Sequence, residues 1–287
     1  MLEGRTKALR GLFAQGSFVT LPGIYDCLSA RIAEEAGFKA IFLSGGALAY
    51  SYLGKPDIGF LNLTDFGNAI QRICNAVSIP LIADADNGFG NAIHAANAAR
   101  VYERSGASGM QIDDKVLPSI RPDSNDVLDW HLVYPKISAV RANVSKDFLI
   151  IYRTCANLYG YGIEESLKRI NLSVSYGADY AYIDGIKSIE ELKYVSENAR
   201  VPLLINLNEK GFCGGLPINE ILKYRFSVGL FPISSVSAAA QGMIRVLGEL
   251  SENGSTVNIR ELMTDPPTRV HEMMGEKRLA EQFSAYY

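Results

Sequence analysis

Residues 80–91 read Pro-Leu-Ile-Ala-Asp-Ala-Asp-Asn-Gly-Phe-Gly-Asn. An apolar run ends in two carboxylates, Asp84 and Asp86, and a glycine-rich turn follows. This is the pattern of a strand buried in a parallel sheet that delivers acidic ligands to the mouth of a barrel. Carboxylates this close repel one another, and a cation between them is the simplest relief.

The surrounding chain repeats the same grammar. A helical stretch, a glycine and a short apolar strand recur at Glu35 to Ser44, Arg104 to Asp113 and Ser175 to Asp184. In each copy the glycine suits the left-handed residue that ends a helix. A second repeat pairs Ser78-Ile-Pro-Leu-Ile-Ala-Asp-Ala-Asp86 with Arg200-Val-Pro-Leu-Leu-Ile-Asn-Leu-Asn208, and proline opens both strands, where a missing N–H does least harm. The apolar runs place strands near 18–21, 39–44, 80–85, 109–113, 147–153, 180–184, 202–207 and 228–232. Helices fill gaps such as 25–36, 64–76, 92–105, 163–176 and 235–252. Apolar strands alternating with helices predict an α/β fold, and this many units in 287 residues fit a (β/α)8 barrel of the TIM type. The barrel is expected over 1–250, with a helical tail over 251–287 that packs on its own barrel or on a neighbouring subunit.

Composition narrows the function. A net charge of −3 gives no electrostatic reason to expect nucleic acid or an anionic membrane surface. No apolar stretch is long enough to span a bilayer, and the polar start Met-Leu-Glu-Gly-Arg-Thr-Lys has no signal-peptide core. Cys27, Cys74, Cys155 and Cys213 are scattered, which predicts reduced thiols and a cytoplasmic protein. There is no Walker A stretch, no GxGxxG and no GxSxG elbow. The three histidines avoid the strand ends, which argues against a histidine-ligated zinc.

A barrel of this kind carries its active site at the C-terminal ends of its strands. Those ends read Ser44-Gly45-Gly46, Asp84 with Asp86, Asp113 with Asp114, Arg153, Asp184, Asn206 with Asn208, and Ser234. Asp84, Asp86 and Asp113 offer hard oxygen ligands suited to Mg2+ or Mn2+, with one or two binding directly and the rest through water. Arg153 can grip a substrate carboxylate in two hydrogen bonds. The Ser44 to Gly46 backbone can offer N–H groups to a second anionic group. Asn91 reads as a helix N-cap and Asp114 as solvent-facing.

With these residues the chain resembles the isocitrate lyase/phosphoenolpyruvate mutase superfamily over nearly its whole length. The segments that carry the resemblance are Pro22-Gly-Ile-Tyr-Asp26, Leu43-Ser-Gly-Gly46, Gly54-Lys-Pro-Asp57, Asp84 to Asn91, Gln111-Ile-Asp-Asp114, Arg153-Thr154 and Leu230-Phe-Pro-Ile-Ser234. The resemblance implies a Mg2+-dependent enzyme acting on small 2-oxo or 2-hydroxy carboxylates through an enolate, or transferring phosphoryl groups. It implies Asp84 and Asp86 as metal ligands, Asp57 on a metal-bound water, and Arg153 with Ser44, Gly45 and Gly46 on substrate carboxylate. Asp184, Asn206 and Ser234 complete the expected substrate contacts. It also implies a homo-oligomer, a dimer or dimer of dimers with C-terminal helices swapped between subunits.

Departures from the family pattern sharpen the question. The lyase branch carries a Cys-Gly-His loop whose cysteine is the acid/base; here the stretch is Lys115-Val-Leu-Pro-Ser-Ile-Arg-Pro-Asp-Ser-Asn-Asp126. The mutase and phosphonopyruvate hydrolase pattern keeps Lys115 and Pro118 but finds Ser119 at its second lysine. Asp113 stands for the usual glutamate, Cys155 for an aspartate and Phe42 for a tyrosine. Ser119, Ser124 or His131 is therefore a candidate for proton transfer. Three readings follow: a carbon–carbon lyase or decarboxylase, P–C bond chemistry, or an inactive homologue with a binding role.

Overall fold

The computed structural model describes residues 2–119, 126–263 and 268–286. Ser124 lies outside them. Eight parallel strands, β1 (Val19–Ile24), β2 (Ile41–Leu43), β3 (Leu81–Asp84), β4 (Gly109–Asp113), β5 (Leu149–Thr154), β6 (Tyr180–Ile183), β7 (Leu203–Asn206) and β8 (Phe226–Phe231), close into a barrel in sequence order. Closure is made by β8 against β1, with Val19 opposite Val228 and Pro22 opposite Phe231. The helices are α1 (Leu2–Ala14), α2 (Cys27–Glu35), α3 (Gly45–Leu48), α4 (Leu63–Ala76), α5 (Ala92–Ser105), α6 (Trp130–Asn143), α7 (Ile163–Ser173), α8 (Ile189–Asn198), α9 (Ile218–Ile221), α10 (Ser234–Asn253), α11 (Thr268–Met273) and α12 (Glu276–Phe283). The expected (β/α)8 barrel with C-terminal helices is thus the observed one.

Local chemistry explains why these elements start and stop where they do. The glycines ending the three repeated helical stretches, Gly37, Gly106 and Gly177, all have φ near +100° (90°, 108° and 106°), which a side chain would resist. Pro80 and Pro202 open β3 and β7, and their carbonyls accept from Ile41 and Ala181 at 3.0 and 3.1 Å. Asn91 caps α5, its side chain accepting from the N–H groups of Ile93 and His94. Strand β1 runs three residues beyond its expected end at residue 21, because its pairing with β2 and β8 continues through Ile24.

Two layers of apolar side chains hold the barrel. Leu21, Phe42, Ile82, Ile151, Leu204 and Val228 fill the barrel interior with Leu9 and Phe13 of α1 beneath them. Ile41, Leu81, Met110, Ile150 and Ile205 face outward onto Ile70, Ile73, Tyr102, Ile137 and Ile170 of the helices. This alternation leaves only the strand C-terminal ends open for chemistry. No helix among the described residues is long and apolar enough to cross a membrane.

Candidate active site

A cavity of about 440 Å³ opens at the C-terminal ends of the strands. Strand-end and motif residues singled out from the sequence line it, among them Ser44, Gly46, Asp57, Asp84, Arg153, Asp184, Asn206 and Asn208. Gly45, Asp86 and Asp113 lie just behind the lining. Gly45 donates its N–H to Asp84 Oδ2 at 3.3 Å, and Asp86 to Asp84 Oδ1 at 3.2 Å. Asp113 is 1 % exposed, with Oδ2 3.8 Å from an Arg153 nitrogen.

The stretch from Asp84 to Gly88 turns sharply. Asp86 has φ 45°, a conformation that aspartate tolerates better than most residues but that still marks strain. The turn is held because Ala85 N–H donates to Gln111 O at 3.0 Å and Asp113 N–H to Asp86 O at 2.8 Å. Gln111, part of a family segment but given no role from the sequence, is a polar residue inside an apolar strand and orients the acid. Its Nε2 donates to Asp84 Oδ1 at 3.1 Å, and its Oε1 accepts from the Tyr182 hydroxyl at 2.7 Å.

Burial and crowding raise the proton affinity of this cluster. The Asp84 carboxyl is pushed up to about 6, first by burial; Asp113 and Asp57 add to this while Arg153 and Lys115 oppose it. Asp86 is raised as well, by burial and then by Asp84 and Asp113. Asp113 Oδ2 is buried with no hydrogen-bond partner. Such a cluster is short of positive charge, and its all-oxygen donor set fits a hard divalent cation. Among the described residues, no three carboxylate, imidazole or thiol side chains stand close enough to hold an ion by themselves. Mg2+ normally keeps several waters, so a hydrated ion suits this spread of acids better than a bare one.

Arg153 stands at the other side of the floor. Its guanidinium donates to Asp184 at 2.6 Å, while Asp184 Oδ1 accepts from Asn206 Nδ2 at 3.1 Å. Arg153 Nε and Asn206 Oδ1 are both buried without partners. Unpartnered buried polar atoms on two residues that share Asp184 and line the cavity mark a polar wall.

Four residues sit elsewhere than their sequence positions suggested. Asp114, expected to face solvent, is 0 % exposed. It accepts from the Tyr152 and Thr154 hydroxyls at 2.9 and 2.7 Å, from Cys155 N–H at 2.8 Å and from Arg169 at 3.0 Å. Those partners come from β5 and α7, so their convergence is invisible in the local sequence. His131 begins α6, is exposed, and lines a separate cleft with Asn87 and Leu132. Ser119 donates its N–H to Ile58 O at 3.3 Å and its side chain meets the Tyr159 phenol, away from the cavity lining. Ser234 starts α10 and hydrogen-bonds Glu209.

The cavity also recruits residues that the strand-end reading missed. Tyr50 lies on a π-helical turn, Ala49–Leu53, and Lys210, Phe212 and Cys213 lie on the loop after β7. Tyr50 is 49 % exposed and its phenol is held protonated by partial burial and by Asp57.

Comparison with known proteins places this geometry. A family model described as phosphoenolpyruvate phosphomutase matches residues 9–247. A 2-methylisocitrate lyase of Aeropyrum pernix is 32% identical over 290 residues, covering 98% of this chain and 92% of that protein. Oxaloacetate acetylhydrolase, solved with the inhibitor 3,3-difluorooxalacetate, superposes with a TM-score of 0.90 at 30% identity, covering 99% of this chain and 97% of that one. Phosphonopyruvate hydrolase, solved with oxalate and Mg2+, superposes with a TM-score of 0.88 at 26% identity over 98% of this chain and 99% of that one. With an acid-rich strand end, a closed eightfold barrel and a family match over most of its length, the chain belongs to the phosphoenolpyruvate mutase/isocitrate lyase superfamily.

Proposed function

We propose that this cavity cleaves a carbon–carbon bond of a small 2-oxo or 2-hydroxy di- or tricarboxylate, with Mg2+ as cofactor, by stabilising an enolate. The observation that carries this reading is the cluster of buried carboxylates, one with a bare oxygen, facing an arginine across a single cavity floor. Asp84, Asp86 and Asp113 would hold the ion, directly or through its waters, and Asp57 would orient one of those waters. When bound, the divalent cation supplies positive charge where enolate charge gathers.

The chain's own residues do the rest. Arg153 and Asn206 line the cavity, each with one unpartnered polar atom at its edge, and Ser44 to Gly46 bring backbone alongside Asp84 and Asp57. The Asp184 carboxylate fixes the Arg153 fork, so little rotamer freedom is lost on binding. Phe42, Leu158, Ile186 and Leu230 line the same space and keep water from the reacting carbon. The second lysine of the P–C pattern is replaced by Ser119, and Ser119 stands off the cavity lining, so phosphoryl chemistry is the less supported reading.

The same reading includes a homo-oligomer. Helix α10 buries none of its residues, and Met243, Ile244, Leu247 and Leu250 are 55 %, 67 %, 60 % and 44 % exposed. A helix with an apolar stripe left in water is best covered by a second copy. Sedimentation is expected to give a dimer or larger, and a monomer at micromolar concentration would contradict this part.

Metal binding gives a test through pH. The folded-state pKa of Asp84 is raised to about 6, so the folded state holds a proton that the unfolded chain releases nearer 3.8. The metal-free protein should therefore lose stability as pH rises from about 4 to 6, and bound Mg2+ should restore it above 6. Calorimetric titration of Mg2+ is expected to show affinity falling at least tenfold between pH 7.5 and pH 5, with proton release near pH 6. An affinity independent of pH would remove the buried carboxylates from the metal site.

A further inference from the structure

The loop after β7 brings a cation to the cavity that the reaction itself does not need. Three carboxylates, Asp57, Asp84 and Asp184, and two cations, Arg153 and Lys210, line the space. Arg153 is already paired with Asp184 and Asp113. Lys115, just behind the wall, is within 4.0 Å of Asp86. Among the described residues Lys210 enters no ion pair, and the adjacent acid, Glu209, is engaged by the Ser234 hydroxyl instead.

The backbone that carries Lys210 is set by a tight turn. Lys210 N–H donates to Asn208 Oδ1 at 3.0 Å, and Gly211 N–H to Asn208 O at 2.8 Å. The chain then doubles back so closely that a Cβ on Gly214 would stand 2.0 Å from Asn208 O. Only glycine permits that approach. The turn thus holds Lys210 at the cavity, whose lining also includes the apolar residues Leu158, Ile186 and Phe212.

From this geometry we infer that Lys210 is a specificity residue: it binds a second, distal carboxylate of the substrate, whose carbon chain lies along Leu158, Ile186 and Phe212. This rests on the reading of the cavity floor as the site for the reacting end, and it narrows the substrate to acids of four or more carbons with a far carboxylate. A monocarboxylate of the same inner structure would leave the Lys210 charge unanswered. Lys210 does not touch the reacting atoms and acts on affinity alone.

Malate and lactate test it, since both are 2-hydroxy acids and only malate carries the distal carboxylate. Binding is measured by calorimetry with Mg2+ at pH 7.5, with oxalate as a probe of the inner floor. The wild type is expected to bind malate about tenfold or more tighter than lactate, as one charge-assisted contact allows. Lys210→Met should erase that difference and leave lactate and oxalate affinities unchanged, while Lys210→Arg should keep it. Lys210 is exposed, so neither variant threatens the fold. If malate keeps its advantage in Lys210→Met, or has none in the wild type, while oxalate binds normally, Lys210 is not the distal site and the floor reading stands. If the wild type fails to bind oxalate with Mg2+, the reading of the floor fails and the inference with it.

Discussion

Replacing Asp84 by alanine is expected to abolish Mg2+ binding and to lower kcat/KM by about 10³-fold or more, the scale at which loss of electrostatic stabilisation acts. The reason is position. Asp84 lines the cavity and is anchored on three sides, by Gln111 Nε2, Gly45 N–H and Asp86 N–H. Those donors aim the carboxylate while burial and neighbouring acids keep it short of positive charge. Asp84→Asn separates charge from shape. It should lose metal and turnover as fully as the alanine variant, yet melt in chelator at pH 7.5 no lower than the wild type, because it no longer buries that charge. Wild-type turnover in Asp84→Ala under chelator would remove the metal from the account.

Arg153 has the second large effect, through two separable routes. Its fork reaches Asp184 at 2.6 Å and Asp113 at 3.8 Å from different nitrogens, and the residue also lines the cavity. A lysine ammonium cannot serve three directions at once. Arg153→Lys is expected to lower kcat/KM by about 10²-fold or more, with the loss shared between KM and kcat. Arg153→Met leaves two largely buried carboxylates without a counter-charge, and denaturant melts should show about 3 kcal/mol of destabilisation. If Arg153→Met melts like the wild type, the ion pairs contribute nothing to the fold. If Arg153→Lys turns over normally, Arg153 does not bind substrate.

The barrel was legible because its signals are local. Apolar runs ending in acids, glycines at helix ends and prolines at strand starts each act within a few residues, and Gly37, Gly106, Gly177, Pro80 and Pro202 do what their types suggest. Helices α1 and α6 were not among those placed by residue number. Helix α1 offers a sparse apolar face of Leu9, Leu12 and Phe13, and α6 carries Pro135 inside it, buries Lys136 and exposes Trp130 and Leu132, so its polar and apolar residues do not sort by face. The acids of the floor were readable because strand ends fix their position. Asp114 was not, since the groups that bury it lie 38 to 55 residues further along the chain. Lys210 and Tyr50 were not, since a loop turn and a π-helical turn bring them to the cavity.

The central claim is Mg2+-dependent cleavage of a carbon–carbon bond, and product NMR tests it most directly. The full chain is incubated with a panel of 2-oxo and 2-hydroxy di- and tricarboxylates, together with phosphonopyruvate and phosphoenolpyruvate, with Mg2+ or with chelator. The account predicts that at least one carboxylate is split in Mg2+ and none in chelator, with both phosphorus compounds unchanged. Interconversion or hydrolysis of the phosphorus compounds with every carboxylate left intact, or no turnover of any compound while Mg2+ is bound, would contradict it.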